Sequence, residues 1–181
     1  MSTEHELYPL SAFCVRDNIA LPPYRIIDAD DLPEPFRQLL DHKRDMTSVL
    51  QDFHSQKVHL ENVDIVREDD HLMRRVALLA EDGRPVEFGA IDIWLSRFTD
   101  EVQQVILECR TPFGAILNEN NIAYTSSPKR FFEIDSIDFI GVALGLESSA
   151  WLYGRTNILR SEDGQIMARV VEILPPAAHG R

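Results

Sequence analysis

"RRVALLAEDGRPVEFGAIDIWL", Arg74 to Leu95, is the stretch whose reading decides the fold. Two apolar runs meet at Asp82-Gly83, a dipeptide that supplies the positive φ angles of a tight turn, so the stretch predicts a β-hairpin. Side chains alternate between the two faces of a strand. Met73, Arg75, Ala77 and Leu79 therefore share one face, and Arg74, Val76, Leu78 and Ala80 share the other. Both faces are mostly apolar, and each carries an arginine. A guanidinium among core side chains needs a partner, supplied by the protein or by a ligand.

The C-terminal part has the same design. "WLYGRTNILR" (151–160) and "QIMARVVEIL" (165–174) read as two strands joined at Asp163-Gly164. On the second, Ile166, Ala168, Val170, Glu172 and Leu174 share a face, so one carboxylate stands in an apolar stripe. Such a carboxylate must be paired, protonated or reserved for a ligand. Asp92 is in the same position, flanked on its face by Phe88, Ala90 and Trp94. Two readings stay open at this point. Arg75 pairs with Glu172 or Asp92 as an ion pair inside the sheet layer, or arginine and carboxylate line a pocket for a small carboxylic acid. An arginine suits the second role because its rigid fork grips a carboxylate bidentately.

Between these hairpins and before them the pattern changes. Residues 1–30, with "LPPY" and scattered polar side chains, read as an extended lead-in. Residues 31–176 read as one domain and 177–181 as a frayed tail. "DDLPEPFRQLLDHKRDMTSVLQDFHSQ" gives two short helices, with Leu32, Phe36, Leu39 and Leu40 on one stripe and Met46, Val49, Leu50 and Phe53 on the next. Asp45 is a suitable N-cap for the second. "KVHLENVDIV" has strand composition. "FTDEVQQVILECR" reads as a helix capped by Thr99, with Val102, Val105, Ile106 and Cys109 inward, and "TPFGAILNENN" as a break leading into a helical turn. "KRFFEIDSIDFIGVAL" reads as a further strand region. The sum is an α+β fold, a single antiparallel β-sheet with helices packed on one side.

The 181 residues, 44% hydrophobic, suffice for one core. Lys+Arg 18 against Asp+Glu 30 gives a net charge of -12. Such a surface repels phosphate backbones, so nucleic acid is not an expected partner. Cys14 and Cys109, far apart and in no pattern, read as two thiols of a reducing cytosol. The start lacks the pattern of a secretory leader, and no apolar run approaches the ~20 residues of a membrane helix. A cytoplasmic protein with no membrane partner is expected. GxGxxG, P-loop, GxSxG and CxxC motifs are absent, and the six histidines show no metal-ligand spacing. Neither a cofactor nor a metal is expected. Cys109 reads as a small core residue, Tyr124 to Ser127 as a polar turn able to hydrogen-bond a ligand, and His42-Lys43-Arg44 as a solvated helix end.

In order and spacing, "DMTSVL", "RRVALLAEDGRPVEFG", "TPFGAIL", "YTSSPKRFFEID" and "GRTNILRSEDGQIMARVVEILP" resemble the chorismate lyase family, which has the chorismate lyase/UTRA-like fold. The likeness runs from about Asp45 to Pro175. It implies a cofactor-independent lyase that releases pyruvate from chorismate, or from a related acid, to leave a hydroxybenzoate. The ligand implied is a small anionic aromatic or pre-aromatic carboxylate. By the same likeness Met46, Arg75, Phe113 with Gly114 of the turn, and Glu172 would contact the substrate. Arg75 would hold a carboxylate; that Glu172 handles the proton is expected from its place in the apolar stripe. Ala90 stands where the family carries an arginine, Phe113 is bulkier than the family's leucine, and Arg155 matches a family arginine that would compensate. The alternative is a non-catalytic small-molecule-binding protein of the same fold, as in UTRA effector domains. Those follow a winged-helix domain that residues 1–45 are too short and too acidic to supply.

Overall fold

The computed structural model describes residues 5–136 and 139–176, so the tail expected at 177–181 lies outside the described residues. Seven antiparallel strands form one sheet in the order β1-β5-β6-β7-β4-β3-β2. They are β1 (Tyr24–Ile27), β2 (Val58–Glu68), β3 (His71–Ala80), β4 (Pro85–Trp94), β5 (Thr125–Asp135), β6 (Trp151–Arg160) and β7 (Ile166–Leu174). The two Asp-Gly turns close β3–β4 and β6–β7 as expected, with Gly83 and Gly164 both at φ +81°. That conformation suits a residue without a Cβ. The outer hairpins meet in the middle of the sheet, where β4 pairs with β7 and places Gly89 opposite Glu172 and Ile91 opposite Val170.

Helices α2 (Phe36–Leu40), α3 (Met46–His54), α4 (Asp100–Leu107) and α5 (Phe113–Glu119) pack on one face of this sheet. Leu39, Leu40 and Leu50 meet Leu78 and Leu174 there, while Ile106, Ile116 and Leu117 meet Ile91, Ile93 and Ala168. This is the α+β layer with helices on one side. Helices α1 (Leu10–Asp17) and α6 (Phe139–Ala143) cover part of the opposite face, where Leu10, Phe13 and Ile140 join Phe88, Ala90 and Ile173.

Two segments differ from expectation. The lead-in contains regular structure, because Leu7, Leu10, Phe13 and Cys14 are buried together and β1 pairs with β5. The region 129–144 ends in α6 rather than continuing as a strand. Asp45 caps α3 by accepting from the Ser48 amide at 2.8 Å, whereas Thr99 sits at the start of α4 without a side-chain cap. Cys14 and Cys109 are both buried free thiols. Among the described residues no helix is long and apolar enough to cross a membrane.

Candidate functional site

The face of the sheet that α2–α5 cover holds Arg74, Val76 and Leu78 of β3, Glu87, Gly89 and Ile91 of β4, Val170 and Glu172 of β7, and Arg155 and Asn157 of β6. The register requires this grouping, since Arg74 pairs with Ile91, Leu78 with Glu87, Gly89 with Glu172 and Glu172 with Arg155. Between this floor and the first turns of α3 and α5 lies a cavity of about 70 Å³. One water needs ~10–15 Å³ measured this way, so the space exceeds an ordinary packing defect. Its floor includes Arg74, Val76, Glu87, Gly89 and Glu172, and its roof Met46, Phe113 and Gly114. Two glycines shape it. A Cβ on Gly114 would lie 2.8 Å from the Asp45 side chain, so glycine lets α5 approach the capped end of α3. A Cβ on Gly89 would press on Val76 at 3.2 Å and approach Glu87 Oε1 at 3.4 Å.

Arg74 is the exceptional group. It is 1% exposed. Its Nη2 donates to the Thr111 carbonyl at 3.2 Å, while Nε and Nη1 are buried with no hydrogen-bond partner among the described residues. Burial lowers its pKa from the ordinary guanidinium value, with the Cys109 thiol beside it opposing the shift. A guanidinium has no accessible neutral form in a protein, so it is a charge held in the core with donors to spare.

Glu172 is not in that position. Arg155, 0% exposed, donates from Nε to Glu172 Oε2. Its Nη1 donates to the carbonyls of Leu40 at 2.7 Å and His42 at 3.0 Å. Arg155 therefore satisfies Glu172 and ties the loop between α2 and α3 to the sheet. His42 belongs to this knot. Burial first and the Arg155 charge second pull its pKa down to about 4, and Nε2 donates to the Leu39 carbonyl at 2.8 Å. The floor holds a second carboxyl, Glu87. It is buried with Oε2 unpartnered among the described residues. Its pKa is pushed well above the ordinary glutamate range by burial and then by the charge of Glu172, against the pull of Arg155.

Four of the expected site residues, Met46, Phe113, Gly114 and Glu172, thus come together. Two do not line the cavity. Arg155 stands behind Glu172 and is spent on it. Arg75 faces the opposite side of the sheet, where Nη2 binds Asp64 at 2.8 Å and Asp17 at 2.9 Å. The rings of Phe13 and Phe139 each lie 4.9 Å from its guanidinium. Counting back from the turn fixes a position in the chain but not the face that the helices cover. The pairing of β4 with β7 fixes the face, and it selects Arg74. The ion pair expected of Arg75 with Glu172 or Asp92 is likewise replaced. Asp92 accepts from the Tyr8 hydroxyl at 2.5 Å and meets His71 Nδ1 at 2.9 Å. Sequence reasoning missed Glu87, although it alternates with Gly89 and Ile91 on the strand whose other parity was followed.

No family model matches this sequence, and no curated protein matches it. Solved structures do. PhnF from Mycobacterium smegmatis is similar with a TM-score of 0.56 at 10% identity, covering 92% of this chain and 94% of that one. The effector domain of that PhnF gives 0.56 at 10%, covering 74% and 89%. The ligand-binding domain of a protein classed with the GntR-family transcriptional regulators, from Bordetella bronchiseptica, gives 0.52 at 13%, covering 68% and 90%. These likenesses establish the fold, an α+β UTRA-like layer.

Proposed function

We propose that this protein binds a small organic anion, a carboxylate, in the cavity between α3, α5 and the sheet, with Arg74 as its charged anchor. The observation that carries the reading is Arg74 itself. A buried guanidinium with two unpartnered nitrogens at the wall of a cavity is matched to an anion in geometry and charge. Met46, Phe113, Val76 and Ile91 give the same cavity apolar walls, which suits an aromatic or other apolar body behind the carboxylate. The similarity to domains described as ligand-binding or effector domains of regulators supports this over catalysis.

A titration of the purified chain with benzoate and with aliphatic carboxylates, followed by calorimetry, tests it. Arg74→Met should abolish the heat of binding, while Arg75→Met, where folded, should retain it. Binding that survives Arg74→Met would remove the anchor and with it the reading.

The lyase implied by the family resemblance keeps one observation in its favour, a buried carboxyl in the cavity lining with an oxygen unpartnered among the described residues and a pKa raised by burial. In that reading Glu87 rather than Glu172 moves the proton, since Glu172 is committed to Arg155. Pyruvate release from chorismate, coupled to lactate dehydrogenase and NADH, checks it. Release above the spontaneous rate that is lost in Arg74→Met would establish turnover.

A further inference from the structure

Arg74 and Glu87 stand at opposite ends of the cavity floor. Arg74 pairs with Ile91, four positions along β4 from Glu87, which corresponds to a run of about 13 Å of strand. Both project from the same face, so a ligand anchored on one is aimed at the other. The charges along this line are individually accounted for. Glu172 is neutralised by Arg155. Asp45, at the rim, is held by the Ser48 amide and hydroxyl and by Asn118. Arg74 is a cation in the cavity lining with no carboxylate partner among the described residues, and at the far end Glu87 keeps a buried oxygen without a partner among them.

We infer that the cavity selects monoanions that carry an uncharged hydrogen-bonding group at the end away from the carboxylate, and rejects dianions. This rests on the carboxylate-binding reading above and specifies its ligand class. One end offers one uncompensated positive charge. The other offers a carboxyl beside a second carboxyl, where a ligand carboxylate would meet no cation and leave buried like charges together. Arg155 does not relieve this, because it does not line the cavity: Nε serves Glu172, Nη1 serves two backbone carbonyls, and Nη2 is buried away from the lining. A neutral amide or hydroxyl at that end can share a hydrogen bond with Glu87. Dianions such as chorismate fall on the rejected side, so the inference separates the binding reading from the lyase reading.

The test uses ligand pairs of equal shape that differ in charge alone, terephthalate against 4-carbamoylbenzoate and succinate against succinamate, so that two sizes are covered. Calorimetric titration at pH 7.5 of the intact chain should show at least tenfold tighter binding of the monoamide in whichever pair fits. For that monoamide, affinity should weaken as Glu87 ionises at higher pH, and Glu87→Gln should abolish that dependence. Equal binding of the diacid, with both ligands lost in Arg74→Met, would overturn the selectivity and leave the anion site standing. Absence of binding by all four compounds would overturn the anion site and the selectivity together. The wild-type comparison decides the matter even where Glu87→Gln does not fold.

Discussion

Arg74 and Arg75 are neighbours on one strand, both almost fully buried, and their situations are opposite. Arg75 lies under α1 and α6, where two aspartates and two phenylalanine rings take up its charge. Arg74 lines the cavity under α3 and α5, where one backbone carbonyl accepts one of its donors and Nε and Nη1 are buried without a hydrogen-bond partner among the described residues. The first face of the sheet is completed by the chain itself. The second is left with a charge that no carboxylate among the described residues neutralises. Burial alone does not distinguish a structural arginine from a ligand anchor. The partner inventory does, because a buried charge without a partner costs stability that selection retains only for another reason.

The largest expected effect tests whether partners or location decide. Arg155 is on the cavity side of the sheet but outside the cavity lining, with Nε paired to Glu172 and Nη1 bound to two backbone carbonyls. Arg155→Met would leave Glu172 buried without a cation and release the loop at Leu40 and His42, so a loss of about 3–5 kcal/mol in unfolding free energy is expected. A loss under ~1 kcal/mol, measured by urea titration, would show that the pair does not hold the loop.

The two neighbouring arginines should then differ in sign. Arg75→Met strands Asp17 and Asp64 and should cost about 2–3 kcal/mol, moderated because both aspartates are partly exposed. Arg74→Met removes an unmatched buried charge and replaces it with an apolar side chain of similar length. It should leave stability unchanged or raise it by about 1 kcal/mol, while abolishing carboxylate binding. A comparable loss in both variants would end the contrast between the faces.

This contrast marks the limit of what the sequence conveys. The Asp-Gly turns, the strand parities, the α3 cap at Asp45 and the carboxylate of Glu172 in its apolar stripe were all readable, because each depends on residues a few positions apart. The choice between Arg74 and Arg75 depends on which face α3 and α5 cover, and that is fixed by the pairing of β4 with β7, some 80 positions away in the chain. Glu87 was hidden for the same reason. One mate of its carboxyl, Glu172, lies across β4 and β7, and neither neighbour in sequence reveals it. Helix α1 is a different case. Leu7, Leu10, Phe13 and Cys14 follow helical spacing, and the signal was present but outweighed by the polar and proline-rich residues around it.

Glu87 also makes the cavity side respond to pH. Its folded pKa lies above the unfolded value, so above the ordinary glutamate range the folded state holds a proton that the unfolded chain has lost. Stability then falls as pH rises toward the folded pKa. Glu87→Gln should flatten that decline and be the more stable protein at alkaline pH. Parallel pH profiles of melting temperature for variant and wild type would show that Glu87 is ionised in the folded protein.

The smallest effect expected is that of His42, and its sign is the reverse. Burial and Arg155 hold its imidazole neutral, with a pKa of about 4 against an ordinary 6.5. Between pH 4 and 6.5 the unfolded chain binds a proton at this residue that the folded protein refuses, so stability contributed here rises with pH across that window and is constant above it. Many carboxylates titrate in the lower part of the same range, so the informative quantity is the difference between wild type and His42→Gln rather than either profile alone. Glutamine can donate to the Leu39 carbonyl as Nε2 does, which keeps the loop contact while removing the titration. The difference in melting temperature should grow as pH falls from 6.5 to 4, with the variant favoured at the acid end. A difference that stays constant across the window would mean that His42 is free to protonate in place, and that the Arg155 knot on the cavity side is looser than its hydrogen bonds imply.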